Sequence, residues 1–176
     1  LDIRVSGSYL YSAFPFDTTF KYNVGYADLT KPLAAASRDG RYKLTLAENS
    51  FNEKTYVVIG KNSHLKNEEM INQNVLSDIY TAGPIGKNLN TPGYISFEID
   101  QLNSSVSIGH WDGDSWRELQ SHVTEDKRSV FAYSDMLGHF ALIEKGSGAP
   151  LSTIEEMSVP TQYALNQNYP NPFNPE

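Results

Sequence analysis

Two tryptophans flank a tight turn in Trp111-Asp112-Gly113-Asp114-Ser115-Trp116. Two kinds of chemistry are on offer there. Indole rings exposed on a β-sandwich bind sugars, so Trp111 and Trp116 are the candidate carbohydrate contacts. The competing expectation is that Trp116 fills the core and Trp111 caps a sheet edge. The carboxylates of Asp112 and Asp114 invite calcium, but an EF-type loop needs a third oxygen ligand, Gly at its sixth place and Glu at its twelfth. Arg117 also repels a cation, and a hairpin turn accounts for Asp-Gly-Asp. The four histidines, His64, His110, His122 and His139, lack the i, i+4 helical spacing of a zinc-protease motif. Glu68-Glu69 and Glu155-Glu156 are adjacent pairs whose side chains point apart, which makes them solvated charge rather than an acid–base couple. No Gly-rich phosphate loop and no G-x-S-x-G elbow occurs. The absence of Cys removes disulfides, thiol catalysis and thiolate metal sites together. The expectation is therefore no catalytic residue, no metal and no cofactor.

The elements that position these residues read as strands. Alternation with period two dominates and is broken by turn residues. In Tyr94 to Ile99, the side chains of Ile95, Phe97 and Ile99 face one way and those of Tyr94, Ser96 and Glu98 the other, the pattern of a strand with one face wet. Arg41 to Leu46, Thr55 to Ile59, Val106 to Trp111, Trp116 to Gln120, Ser129 to Tyr133 and His139 to Lys145 are predicted strands, the last preceded by a break at Gly138. Trp116 and Leu119 have opposite parity, which predicts a bulge or bend between them if both are buried. Asp2 to Val5, Ser8 to Ala13 and Thr18 to Tyr26 are candidate strands in a less regular N-terminal third. Leu33 to Ala36 is too short to argue for a helix. His64 to Tyr80 reads as a long loop with one helical turn, then a strand at Ser77 to Thr81. The fold class is all-β, an antiparallel β-sandwich over residues 1–146 with a Pro-rich C-terminal tail.

Composition bounds the rest. With 176 residues and 12% aromatics, the chain can bury a real core and is not a disordered composition. A net charge of -7 argues against nucleic acid as a partner, since binding it needs a basic footprint. No apolar run approaches the ~20 residues of a membrane helix, so no membrane insertion is expected. The chain opens at Leu1 without methionine or signal peptide, which reads as a piece of a longer protein. Residues 147–176 contain no Lys or Arg and five of the nine prolines. Gly146-Ser147-Gly148-Ala149-Pro150 is a linker by composition, and the domain boundary falls there, with 147–176 as the linker and the start of a second unit.

Within that unit lies PTQYALNQNYPNPFNP, residues 160–175. It resembles the opening of the C-terminal sorting domain carried by cargo of the type IX secretion system. The motif QNYPNPFNP stands intact as Gln167, Asn168, Tyr169, Pro170, Asn171, Pro172, Phe173, Asn174 and Pro175. The resemblance covers about the last sixteen residues and lacks the remainder of such a domain. It implies a secreted or outer-surface protein of Bacteroidetes or a related phylum. The implied partners are the upstream domains of the same parent chain and, through a complete sorting domain, the secretion machinery.

A second resemblance is broader. GRYKLTLAENSFNEKTYVVI (40–59), IYTAGPIGKNLNTPGYISFEI (79–99), HWDGDSWREL and LGHFALIE come in the order of the ZU-five-type β-sandwich of ankyrins, netrin receptors and many bacterial surface proteins. The opening loop departs from that family, which has Pro and Ala where this chain has Ala47-Glu48-Asn49-Ser50. Some members cut themselves at His-Phe-Ser, where the serine hydroxyl attacks the preceding carbonyl. Here the run is His139-Phe140-Ala141, and a methyl group supplies no nucleophile. The functional expectation is a non-catalytic accessory or spacer domain beside a secretion sorting signal. The alternative is a carbohydrate-binding module of a secreted hydrolase, with polysaccharide as its partner.

Overall fold

The computed structural model describes residues 2–8, 15–62, 75–100 and 105–146, with side chains from residue 21 onward. Among the described residues, twelve strands form two antiparallel sheets. In chain order they are β1 Asp2–Ser8, β2 Pro15–Ala27, β3 Leu33–Ala36, β4 Tyr42–Leu46, β5 Thr55–Lys61, β6 Tyr80–Gly83, β7 Asn88–Glu98, β8 Val106–Trp111, β9 Trp116–Glu118, β10 His122–Val123, β11 Ser129–Met136 and β12 His139–Glu144. The seven-stranded sheet runs β1-β2-β5-β6-β12-β8-β9 and the five-stranded sheet β10-β11-β7-β4-β3. The expected all-β sandwich is the fold, and the proline-rich tail lies outside the described residues.

Alternation builds the inner faces. In β4, Tyr42, Leu44 and Leu46 are buried while Lys43 and Thr45 are exposed. They meet Ile95 and Phe97 of β7 and Val130 and Ala132 of β11 on one side, and Val57, Ile59, Tyr80, Ala82, Ile108, Phe140 and Leu142 of the facing sheet on the other. Four rings mark the centre of this core. Tyr42 stacks on Tyr80 at 5.5 Å and on Phe140 at 6.0 Å, and Phe97 sets its edge against Tyr42 at 5.2 Å and Tyr80 at 5.6 Å. Tyr80 also ties the sheets together at their rim. Its hydroxyl donates to Asp39 Oδ2 at 2.8 Å, and the Ser37 hydroxyl donates to Asp39 Oδ1 at 2.5 Å. Partial burial pushes the Asp39 carboxyl up, yet these bonds and the Arg41 amide leave it below the usual aspartate value.

Tyr42 has no such outlet. Its hydroxyl is buried and has no hydrogen-bond partner among the described residues, and burial alone drives its ionisation far upward. A buried polar group without a partner costs about 1–3 kcal/mol. Tyr42→Phe is therefore expected to leave stability unchanged or to raise it by about 1 kcal/mol. Chemical denaturation checks this, and a clear loss of stability would reveal a partner for the hydroxyl.

Several elements differ from the sequence reading. The strand expected over Ser77 to Thr81 starts at Tyr80. Ahead of it the chain still runs beside β12, through an isolated bridge between Val75 and Ile143. Between the two contacts, the Ser77 hydroxyl accepts the Leu142 amide at 2.8 Å. Residues 64–74 of the expected loop, and residues 9–13 of the Ser8 to Ala13 strand, lie outside the described residues. Leu33–Ala36 is an edge strand paired to β4. β7 begins six residues earlier than expected and passes through Pro92. Proline is tolerated there because the described β4 pairing stops at Tyr94 and the β11 register slips between Ser134 and Met136, so no ladder bond needs a Pro92 amide.

No bulge separates Trp116 from Leu119. The β8–β9 ladder is regular, with Trp111 opposite Trp116 and Gly109 opposite Glu118. The two side chains point to opposite faces of the sheet, and both faces are covered. Leu119 belongs to the core between the sheets, whereas Trp116 belongs to a second cluster with Trp111, Ile79, Ala141 and Ile143 on the far side of the seven-stranded sheet. The chain changes sheets just after Leu119. There the Ser121 hydroxyl accepts the Ile108 amide at 2.8 Å and donates to the Leu119 carbonyl at 2.9 Å.

Candidate functional site

The Trp111–Trp116 hairpin is held by one carboxylate. Asp112 Oδ1 accepts the amides of Asp114 and Ser115 at 2.9 and 2.8 Å, and its Oδ2 accepts Arg117 Nε at 2.6 Å. Gly113 takes φ 111°, a left-handed value that an L side chain resists. The carboxylate that looked available to calcium is thus spent on the turn and on Arg117. Bonds from the Ser115 and Asp114 amides, then Arg117, lower the Asp112 pKa to about 2. An unfolded aspartate titrates near 3.9. The folded value is depressed, so the stabilising contribution is complete above about pH 4 and is lost as pH falls toward 2. Carboxyl titration by NMR should place the Asp112 midpoint near 2. A midpoint near about 4 would mean that the turn bonds do not form in solution.

Trp116 is fully buried and Trp111 is 9% exposed, their rings meeting edge to face at 5.4 Å. Trp116 lies on Gly109, where a Cβ would stand 3.0 Å from the indole and 3.1 Å from Ile143. A larger residue at 109 would force the indole or Ile143 to give way by a few tenths of an ångström. The candidate sugar contacts are therefore brought together, but as packing partners with almost no free ring face.

Trp111 also borders a cleft of about 500 Å³ at this end of the sandwich, lined by His110, Arg117, Asp135, Met136 and His139 among others. Burial lowers the His110 pKa, against the opposing pull of Asp135 and Asp112. Burial also lowers that of His139. His139 Nδ1 lies 2.8 Å from Thr81 Oγ1, which in turn accepts Asn62 Nδ2 at 3.2 Å. Sequence reading missed this hydroxyl–imidazole pair, because His139 faces Thr81 only through the β12–β6 pairing. Phe140 and Ala141 lie inside β12, buried on opposite faces, with β8 paired along one side. The methyl group of Ala141 packs in the second cluster and offers no oxygen there.

A second set of rings lies on the exposed face of the five-stranded sheet. Tyr94 packs against Phe131 at 5.4 Å and Tyr133 at 5.7 Å, and Phe131 against His122 at 5.4 Å. Tyr133 is 59% exposed. The sequence carried one signal of this row, a tyrosine at the wet position 94. The sorting-motif residues Gln167 to Pro175 lie outside the described residues. Among the described residues, no group of three or more His, Asp or Glu is placed to hold a metal ion, and no helix is long and apolar enough to cross a membrane.

What fold and site define is a β-sandwich domain with two hydrophobic layers, an end cleft and an aromatic outer face. The chain matches no protein-family model, and no curated protein matches it in sequence.

Proposed function

We propose that this sandwich is a non-catalytic accessory domain of a larger secreted or cell-surface protein of Bacteroidetes or a related phylum, carried just ahead of a type IX sorting signal. The intact QNYPNPFNP at Gln167 to Pro175 supports the sorting part of this reading. One surface carries the accessory part. On the outer face of the seven-stranded sheet, β2 and β5 present Val24, Tyr26 and Tyr56 at 46%, 46% and 66% exposure, with the two tyrosine rings 5.1 Å apart. Large apolar side chains gathered on one exposed sheet face mark an interaction site. A neighbouring domain of the same parent chain is the partner that an accessory module meets at high effective concentration.

The test compares the parent protein with this chain alone. Tyr26→Ser combined with Tyr56→Ser should make the parent's junction more sensitive to limited proteolysis. The isolated domain, whose rings are already in water, should hardly change. Equal cleavage of the substituted and native parent would remove this face as the interface.

A further inference from the structure

We propose that the exposed face of the five-stranded sheet binds an uncharged polysaccharide. The reading goes beyond the accessory role and uses the opposite side of the domain. Strand register sets out the face as a grid. Thr45, Tyr94 and Tyr133 lie in one cross-strand row, and Lys43, Ser96, Phe131 and His122 in the next. Glu98 and Ser129 form the third row. The rings occupy adjoining corners of this grid, with centroid steps of 5.4 to 5.7 Å, and the exposed Thr45 stands across from Tyr94. Tyr133 is 59% exposed, on an outward position where a strand of this fold normally carries a polar side chain.

That mixture selects a ligand class. An aromatic ring has a negative face that attracts polarised C–H groups. A pyranose offers one face of C–H groups and a rim of hydroxyls. The ring faces and the exposed hydroxyls of Thr45 and Tyr133 meet both needs at once. Charge narrows the choice further. The charged side chains of the grid, Lys43 and Glu98, are joined at 2.9 Å and cancel. A polyanion finds no net positive charge there, on a chain whose overall charge is -7. Nucleic acid, which also stacks on aromatic rows, needs the basic groove that is missing from this face. A neutral polyol meets no uncompensated charge and leaves the Lys43–Glu98 pair intact.

Affinity electrophoresis of the 176-residue chain in gels containing hydroxyethyl cellulose, arabinoxylan or galactomannan, with alginate as the charged comparison, tests the assignment. At least one uncharged polymer should retard the protein, with little dependence on salt. Tyr133→Ala should weaken that retardation about fivefold to tenfold, the size of one lost ring contact, and should leave the thermal midpoint near the native value because the ring is already exposed. Tyr94→Ala, checked for folding by circular dichroism, should weaken it as well. Val58→Thr, on the outer face of β5 in the seven-stranded sheet, should have no effect. The proposal is overturned if no uncharged polymer retards the chain, if Tyr133→Ala binds as well as the native protein, or if only alginate binds and salt abolishes it.

Discussion

Trp116→Ala is expected to remove about 3–5 kcal/mol of unfolding free energy, as deletion of a large aromatic from a packed interior does. The ring has no exposed surface. It rests on Gly109 and Ile143 beneath it and takes the edge contact of Trp111 at 5.4 Å. Its cavity cannot close easily, because the floor is a hydrogen-bonded sheet and the walls are Ile79 and Ala141 in the same cluster. This cluster lies on the far side of the seven-stranded sheet from the main core, so the loss would show that the second layer is a full part of the folded state. Urea unfolding gives the number directly. A change below about 1 kcal/mol would place the ring at a surface that water reaches, and the second layer would then contribute little.

That second layer explains where sequence reading succeeded and where it stopped. A strand with one wet face writes its own pattern, and β4, buried and exposed in strict turn, was legible residue by residue. Strand β12 is different. Phe140 and Leu142 enter one core while Ala141 and Ile143 enter the other, so four buried residues in succession carry no alternation. The same cause produced the false bulge: three residues apart means opposite faces, and a bulge is needed only if one of those faces is wet. The first half of β7, which contains Pro92 and Gly93, lies outside the alternating run of Tyr94 to Ile99. Only the slipped pairing with β11 shows that they cost the ladder nothing.

The candidate surfaces follow the same logic. The Asp-Gly hairpin was legible because its bonds are local, spanning two to five residues. The Tyr80–Asp39 bond joins residues 41 apart, and the Thr81–His139 pair residues 58 apart. Neither separation leaves a trace in spacing. The aromatic row stands between these cases. Tyr94 was legible as a ring on a wet face, but its meeting with Phe131 and Tyr133 depends on the register of β11 against β7, which alternation alone does not fix.

The main core offers the second large effect. Phe97→Ala is expected to cost about 3–5 kcal/mol. Phe97 is 1% exposed on β7, with Tyr42 of β4 and Val130 of β11 as its cross-strand neighbours. It is also the ring that sets its edge against both tyrosines of the central stack, at 71° to Tyr42 and 76° to Tyr80. Tyr80 belongs to the facing sheet, so this edge contact spans the sandwich. Two terms then add. One is the buried area and cavity of a lost phenyl group. The other is the edge-to-face geometry, worth about 0.5–1.5 kcal/mol beyond area. Phe97→Leu separates them, since it keeps most of the volume and removes the ring. A double-mutant cycle between Phe97→Leu and Tyr80→Leu should therefore show a coupling of about 0.5–1.5 kcal/mol in denaturant unfolding. Strict additivity would mean that the two rings share space without favouring each other, and the stabilisation of the sheet pairing would then rest on burial alone.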